Sequence, residues 1–169
     1  MTAAVNGVFP PGEKAPSFDL PGPDGGAISL PVRAAAGLTL VMFYKSSCPT
    51  CRLTVPFLQR LHEQVGPGGG RVVAVSQDGP DGAASFALEF GLTMPVAVDG
   101  PGWPVSRRYD LVSVPTIYLL KADGTVVRSL TGFHKEALQQ MANDLAASVG
   151  AAPPALYRDG ESPPEFKPG

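Results

Sequence analysis

The longest strongly apolar run in the chain is Leu38–Tyr44 (LTLVMFY). It is continuous and rich in β-formers, the pattern of a strand covered on both faces. Arg71–Ser76 (RVVAVS) is a second run of this kind. Between them the period changes. Leu53, Phe57, Leu58, Leu61 and Val65 recur at helical spacing and would line one face of a helix over Pro49–Val65. Pro56 removes a backbone donor inside that helix and is expected to kink it. The run GPGGG at 66–70 stops it. Further on, Asp81 is a candidate N-cap for a helix to about Phe90, which Gly91 would end. Pro95–Val98 reads as a short strand and Val105–Tyr109 as a short helix. Thr116–Leu120 and Thr125–Leu130 read as strands joined across Ala122-Asp123-Gly124, a hairpin signal. A last helix is expected over His134–Val149, with Ala137, Leu138, Met141, Leu145 and Val149 on one stripe. Before all of these, residues 1–16 read as extended, and Phe18–Leu20 and Ala27–Leu30 flank PGPDGG as a small β-hairpin.

The alternation of strand and helix argues for an α/β sandwich with parallel central strands. The last hairpin adds an antiparallel edge. Residues 1–150 form one domain in this reading. Residues 151–169 carry five prolines and no apolar period, and are expected to be a disordered or loosely docked tail.

Of 169 residues, 44% are hydrophobic and 17% charged, which excludes a chain too polar to build a core. The net charge of −2 gives no electrostatic case for a nucleic acid or an anionic membrane as partner. No apolar run approaches the ~20 residues of a membrane span, so membrane insertion is not expected. The N-terminus lacks a basic start followed by an apolar run. This sets the cytoplasm as the default compartment, although a trimmed periplasmic form would read the same way.

The informative segment is Lys45-Ser46-Ser47-Cys48-Pro49-Thr50-Cys51-Arg52. Two cysteines flank two residues where a buried strand passes into a helix, the setting of a redox pair. A helix start presents unpaired NH groups and the positive end of a dipole, and both favour an anionic sulfur at Cys48. Pro49 fits the first turn, where its missing NH costs little. The turn keeps Cys51 near enough to attack a mixed disulfide on Cys48. The second signal is Val114-Pro115 just before a strand, where a proline has no ladder NH to give.

With these motifs in this order, the chain resembles the thioredoxin fold. The N-terminal hairpin and the segment FALEFGLTMPVAVDG are similar to the TlpA/ResA-type thiol-disulfide oxidoreductases, within the wider AhpC/TSA group. The resemblance implies a thioredoxin-like three-layer sandwich: a central mixed sheet flanked by helices, with an N-terminal β-hairpin. It implies Cys48 as exposed nucleophile, Cys51 as buried resolving thiol, and Pro115 as a cis proline facing them. Val114, Pro115, Pro49 and Thr50 would then meet the substrate. Three expected residues are replaced. Ser47 stands where a Trp is usual, and Met42 and Thr54 stand where acids are usual. The ordinary proton acceptor for Cys51 is therefore missing, and water or another group must serve.

Lys45 could tune Cys48 by its charge or simply be solvated. Trp103 could line the site rim or pack as an ordinary loop residue. Arg52 could contact substrate or lie exposed, and His62 and His134 are expected as exposed helix residues. A zinc site would need four ligands, and only the two histidines could join the cysteines, at spacings unlike any finger. The expectation is an enzyme without metal or organic cofactor, taking disulfide-containing protein or small thiol substrates and an external reductant, as a monomer. A peroxiredoxin-like thiol peroxidase is the first alternative, but Lys45 and Val41 occupy the places of its Thr and Pro. A non-catalytic redox-sensing or binding module is the second.

Overall fold

The computed structural model describes residues 8–31 and 37–169; the remainder of the stretch 1–16 lies outside them. Two strands, β1 (Phe18–Pro21) and β2 (Ala27–Leu30), form the N-terminal hairpin with Phe18 opposite Leu30. The central sheet contains β3 (Thr39–Tyr44), β4 (Arg71–Ser76), β5 (Val96–Val98), β6 (Thr116–Leu120) and β7 (Val126–Thr131), in the order β5-β4-β3-β6-β7. Strands β3, β4 and β5 run parallel, and β6 and β7 are antiparallel additions. This is the mixed sheet expected of a thioredoxin-like fold.

The continuous apolar run of β3 is explained by what covers it. Leu40, Met42 and Tyr44 point into a core shared with α1 (Pro49–Val65), α2 (Pro80–Glu89) and α4 (Lys135–Ser148). Val41 and Phe43 point the other way, toward Phe9, Phe18, Leu30, Val105 and Tyr109, supplied by the N-terminal segments and α3 (Pro104–Arg108). All six residues of β3 are buried. A period-2 strand with an apolar cover on each face needs an apolar residue at every position.

Several boundaries depart from expectation. Helix α2 is capped by Gly79 and opens on Pro80, so Asp81 lies inside the first turn instead of capping it. A proline at the first helical position is already set at the right φ. Helix α1, by contrast, has the expected bounds and contains Pro56. Phe133 and His134 do not start α4; they form a two-residue strand, β8, paired antiparallel with β9 (Phe166–Lys167).

Strand β9 belongs to the segment expected to be disordered or loosely docked, and that expectation is corrected. Leu156 is fully buried in the main core, with Tyr157 packed against Phe57 and Phe133. Gln64 exchanges two hydrogen bonds with the Ala155 backbone, at 2.9 and 3.0 Å. Gln139 donates to Pro154 O at 2.9 Å, and Tyr157 Oη donates to Lys135 O at 2.6 Å. Arg60 grips Glu161 with two bonds of 2.6 and 2.8 Å. Two large side chains and paired polar groups suffice to dock a segment that has no apolar period of its own.

Candidate active site

The register between β3 and β6 builds the site. Phe43 lies opposite Thr116, so the chain leaving β3 and the chain entering β6 emerge at the same end of the sheet. The first carries Cys48 to Cys51 and the second carries Val114–Pro115. Thr116 Oγ1 donates to Ser113 O at 2.8 Å and fixes the second loop. The Val114–Pro115 peptide is cis.

Cys48 is the N-cap of α1, in extended conformation, with Pro49 in the first turn. Its Sγ accepts a hydrogen bond from Cys51 N at 3.1 Å, the role an oxygen usually plays at a cap. The same Sγ lies 3.4 Å from Val114 O. Cys48 is half-buried and Cys51 fully buried, and both are free thiols. Burial is the main cause that pushes the Cys51 thiol far above its ordinary range. The hydrogen bond with Cys48 and the Asp78 charge add to it, while the Lys45 backbone opposes it.

The positions expected to be acidic are closed. Met42 is fully buried, and Thr54 spends its hydroxyl on Thr50 O at 2.7 Å. The acid near the pair is Asp78, just past β4, which the sequence reading missed. It accepts from Ser46 N at 2.8 Å, from Ser46 Oγ at 3.0 Å and from Ser76 Oγ at 3.4 Å. Only the parallel register of β3 with β4, which sets Tyr44 beside Ser76, brings it there. Tyr44 also faces this corner. Its hydroxyl is buried without a hydrogen-bond partner, and burial pushes its pKa up to about 12. The Ser76 hydroxyl is near enough to oppose that shift slightly, but not placed for a normal hydrogen bond.

The remaining candidates separate clearly. Lys45 Nζ sits over the Trp103 ring, 5.7 Å from its centre. Trp103 is partly exposed and donates from its indole nitrogen to Gln77 O at 2.7 Å. With Arg107, Val112 and Val114 it lines a cleft of about 310 Å³ beside the proline loop. Arg52 is tied to α2 through Glu89 and lies 5.0 Å over Phe90. Thr50 is buried, and its hydroxyl donates to Pro168 O at 2.6 Å. His62 is half-buried rather than exposed, and burial lowers its pKa. His134 is likewise half-buried, in β8 rather than in a helix, with its ring centre 4.6 Å from that of Phe166 and tilted by 45°. Among the described residues, no three His, Cys, Asp or Glu side chains gather as metal ligands would. No described helix is long and apolar enough to cross a membrane.

Comparison with known proteins agrees with this geometry. The AhpC/TSA family matches residues 11–129. The thiol-disulfide oxidoreductase ResA of Bacillus thuringiensis (strain Al Hakam) is 30% identical over 122 residues, covering 72% of this chain and 69% of that protein. ResA of Bacillus thuringiensis subsp. konkukian is 28% identical over 131 residues, 76% of this chain and 75% of that protein. Among solved structures, a DsbE-type thiol:disulfide interchange protein of Chlorobium tepidum superposes with a TM-score of 0.72 at 27% identity, over 83% of this chain and 98% of that one. The chain belongs to the AhpC/TSA family, and within it to the ResA-type thiol-disulfide oxidoreductases of thioredoxin-like fold.

Proposed function

We propose that the protein reduces disulfides in other proteins by cycling Cys48 and Cys51 between dithiol and disulfide. The Cys48 thiolate attacks a substrate disulfide. A Cys48–substrate bond forms, the substrate S–S bond breaks, and one substrate thiolate leaves. Cys51 loses its proton and attacks Cys48 Sγ, which frees the second substrate sulfur and closes the Cys48–Cys51 bond. Two electrons have then passed to substrate, and an external dithiol reductant restores the pair. In a reducing compartment this direction is favoured.

The observation that carries the reading is the division of labour within one helical turn. One sulfur caps the helix and is half-open to solvent, and the other is shut in the core behind it. The Val114 carbonyl, just before the cis peptide to Pro115, lies 3.4 Å from the open sulfur. Pro49 and Thr50 shape the turn between the two.

The test is reduction of insulin with dithiothreitol as donor. Wild-type protein accelerates it, and Cys48→Ser abolishes the acceleration. Cys51→Ser accumulates a mixed disulfide, visible by mass spectrometry. A wild-type protein that turns over no disulfide would sink the proposal.

A further inference from the structure

The C-terminal residues do more than dock: their last part lies on the site. After the anchor at Glu161, the chain crosses exposed residues and meets β8. Lys135 N donates to Glu165 O at 3.0 Å. Phe133 pairs with Lys167 and His134 with Phe166. In an antiparallel ladder alternate pairs exchange hydrogen bonds, so Phe133 and Lys167 form the next bonded pair. The Phe166 ring rests on His134 with centres 4.6 Å apart. Pro168 O takes the hydroxyl of Thr50, one of the two residues between the cysteines. Gly169 presses against the Val114 carbonyl so closely that a Cβ there would collide with it. That carbonyl is the one beside Cys48 Sγ. Gly132 clears the way: a Cβ on it would stand 2.7 Å from Lys167 O.

We propose that residues 165–169 are a tethered peptide in the groove that receives substrate, and that a substrate peptide must displace them to reach Cys48. This rests on the reading of Cys48 as the attacking sulfur. The groove consists of the edge of β8, the Thr50 hydroxyl and the Val114–Pro115 loop. Its occupant is extended, hydrogen-bonds through its backbone, lays an aromatic ring on His134 and puts a residue without a side chain against Val114. That defines the class of partner: an unfolded or loop segment that adds as a strand, with a small residue next to its cysteine. A short tether holds its peptide at an effective concentration on the order of millimolar. The segment therefore screens out weak partners without shutting the site. It lies beyond residues 11–129, the part matched by the family as a whole.

The experiment compares the wild type with Lys167→Pro, which removes the NH of the bonded pair, and with Phe166→Ala, which removes the ring from His134. One reading is the rate at which a polymer-bearing maleimide labels Cys48 in the reduced protein. The other is KM and kcat for insulin reduction. Both variants should label about tenfold faster, the effect of losing roughly one net hydrogen bond or stacking contact. KM should fall by a similar factor with kcat unchanged, and thermal midpoints should stay at the wild-type value. Millimolar synthetic peptide of sequence ESPPEFKPG should return the labelling rate of Lys167→Pro toward wild type. Unchanged labelling and KM, in proteins that still reduce insulin, overturn the tethered-peptide proposal and leave the redox function standing. Absence of insulin reduction in the wild type overturns the function instead, and the labelling arm, which needs no turnover, tells the two failures apart.

Discussion

Leu156→Ala is the substitution that most sharply separates a docked C-terminal segment from a loose one. Leu156 is fully buried among the side chains of the main core, although the sequence around it is rich in proline and has no apolar period. Truncating a buried leucine removes its transfer free energy and leaves a partly collapsed cavity, together about 2–5 kcal/mol. With Arg60 also donating to the Leu156 carbonyl at 2.9 Å, the backbone at this point is held and the cavity has little room to collapse. A loss of about 3 kcal/mol is expected. For a chain of this size each kcal/mol lowers the melting temperature by about 2–4 °C, so the midpoint should fall by roughly 6–12 °C. The same change on an exposed, disordered tail would fall within about 0.5 kcal/mol of zero. Reversible thermal melting followed by circular dichroism, with urea denaturation as a second route, measures the difference. Hydrogen exchange adds a local reading, because the Ala155 amide donates to Gln64 at 2.9 Å and should lose protection in the variant. A midpoint within 2 °C of wild type, together with an unprotected Ala155 amide in the wild-type protein, would refute the packing argument (thresholds of about the error in that conversion).

Three further expectations come from titrating groups. Burial holds Tyr44 at a pKa of about 12, above its ordinary value. Its stabilising contribution is therefore complete below about pH 10 and is lost as pH rises toward 12. Tyr44→Phe removes a buried hydroxyl without a partner, so it should be neutral or stabilising by up to about 1 kcal/mol and should flatten the alkaline decline in urea-denaturation stability. Glu161, gripped by Arg60, has its pKa lowered to about 2. That contribution is complete above the ordinary carboxylate range and is lost as pH falls through about 2, so limited proteolysis with pepsin should cut residues 151–169 increasingly as pH drops below about 4. The raised pKa of Cys51 makes its thiolate scarce at neutral pH. Iodoacetamide at pH 7 should label Cys48 alone in the native protein; equal labelling of both thiols would refute the reading.

What could be read from the sequence was whatever rested on local patterning. The strand over Thr39–Tyr44, the helix from Pro49 to Val65 and the hairpin around Gly124 each carry their signal within a few residues. The same holds for the cysteine pair, because a cap and a first-turn proline are local devices. Features that depend on register were not legible. Asp78 reaches the site only because β3 and β4 pair in parallel with Tyr44 beside Ser76. Strand β9 has two residues and no alternation to detect; it exists because β8 offers an edge and Leu156 anchors the approach. The prolines that suggested disorder are compatible with an extended segment, since such a segment needs few NH donors.

The closed back wall of the site has a consequence for the chemistry. Cys51 must lose a proton before it can resolve a mixed disulfide, and its neighbours give that proton no obvious exit. Met42 offers no acceptor, and the Thr54 hydroxyl is committed to Thr50 O. Asp78 is occupied by Ser46 and Ser76, and its charge makes the Cys51 thiolate harder to form. In the exchange proposed above, the first step itself releases a base: the substrate thiolate that leaves when Cys48 attacks. A leaving thiolate of ordinary basicity, near pKa 8.5, is released beside Cys48, whose Sγ already accepts from Cys51 N at 3.1 Å. Resolution would then depend on substrate as well as on the enzyme. Substrates whose leaving thiol is more acidic would speed the attack on them and slow their own release. A chain that replaces two acids with methionine and threonine has, on this argument, moved part of its proton handling from the protein to its partner.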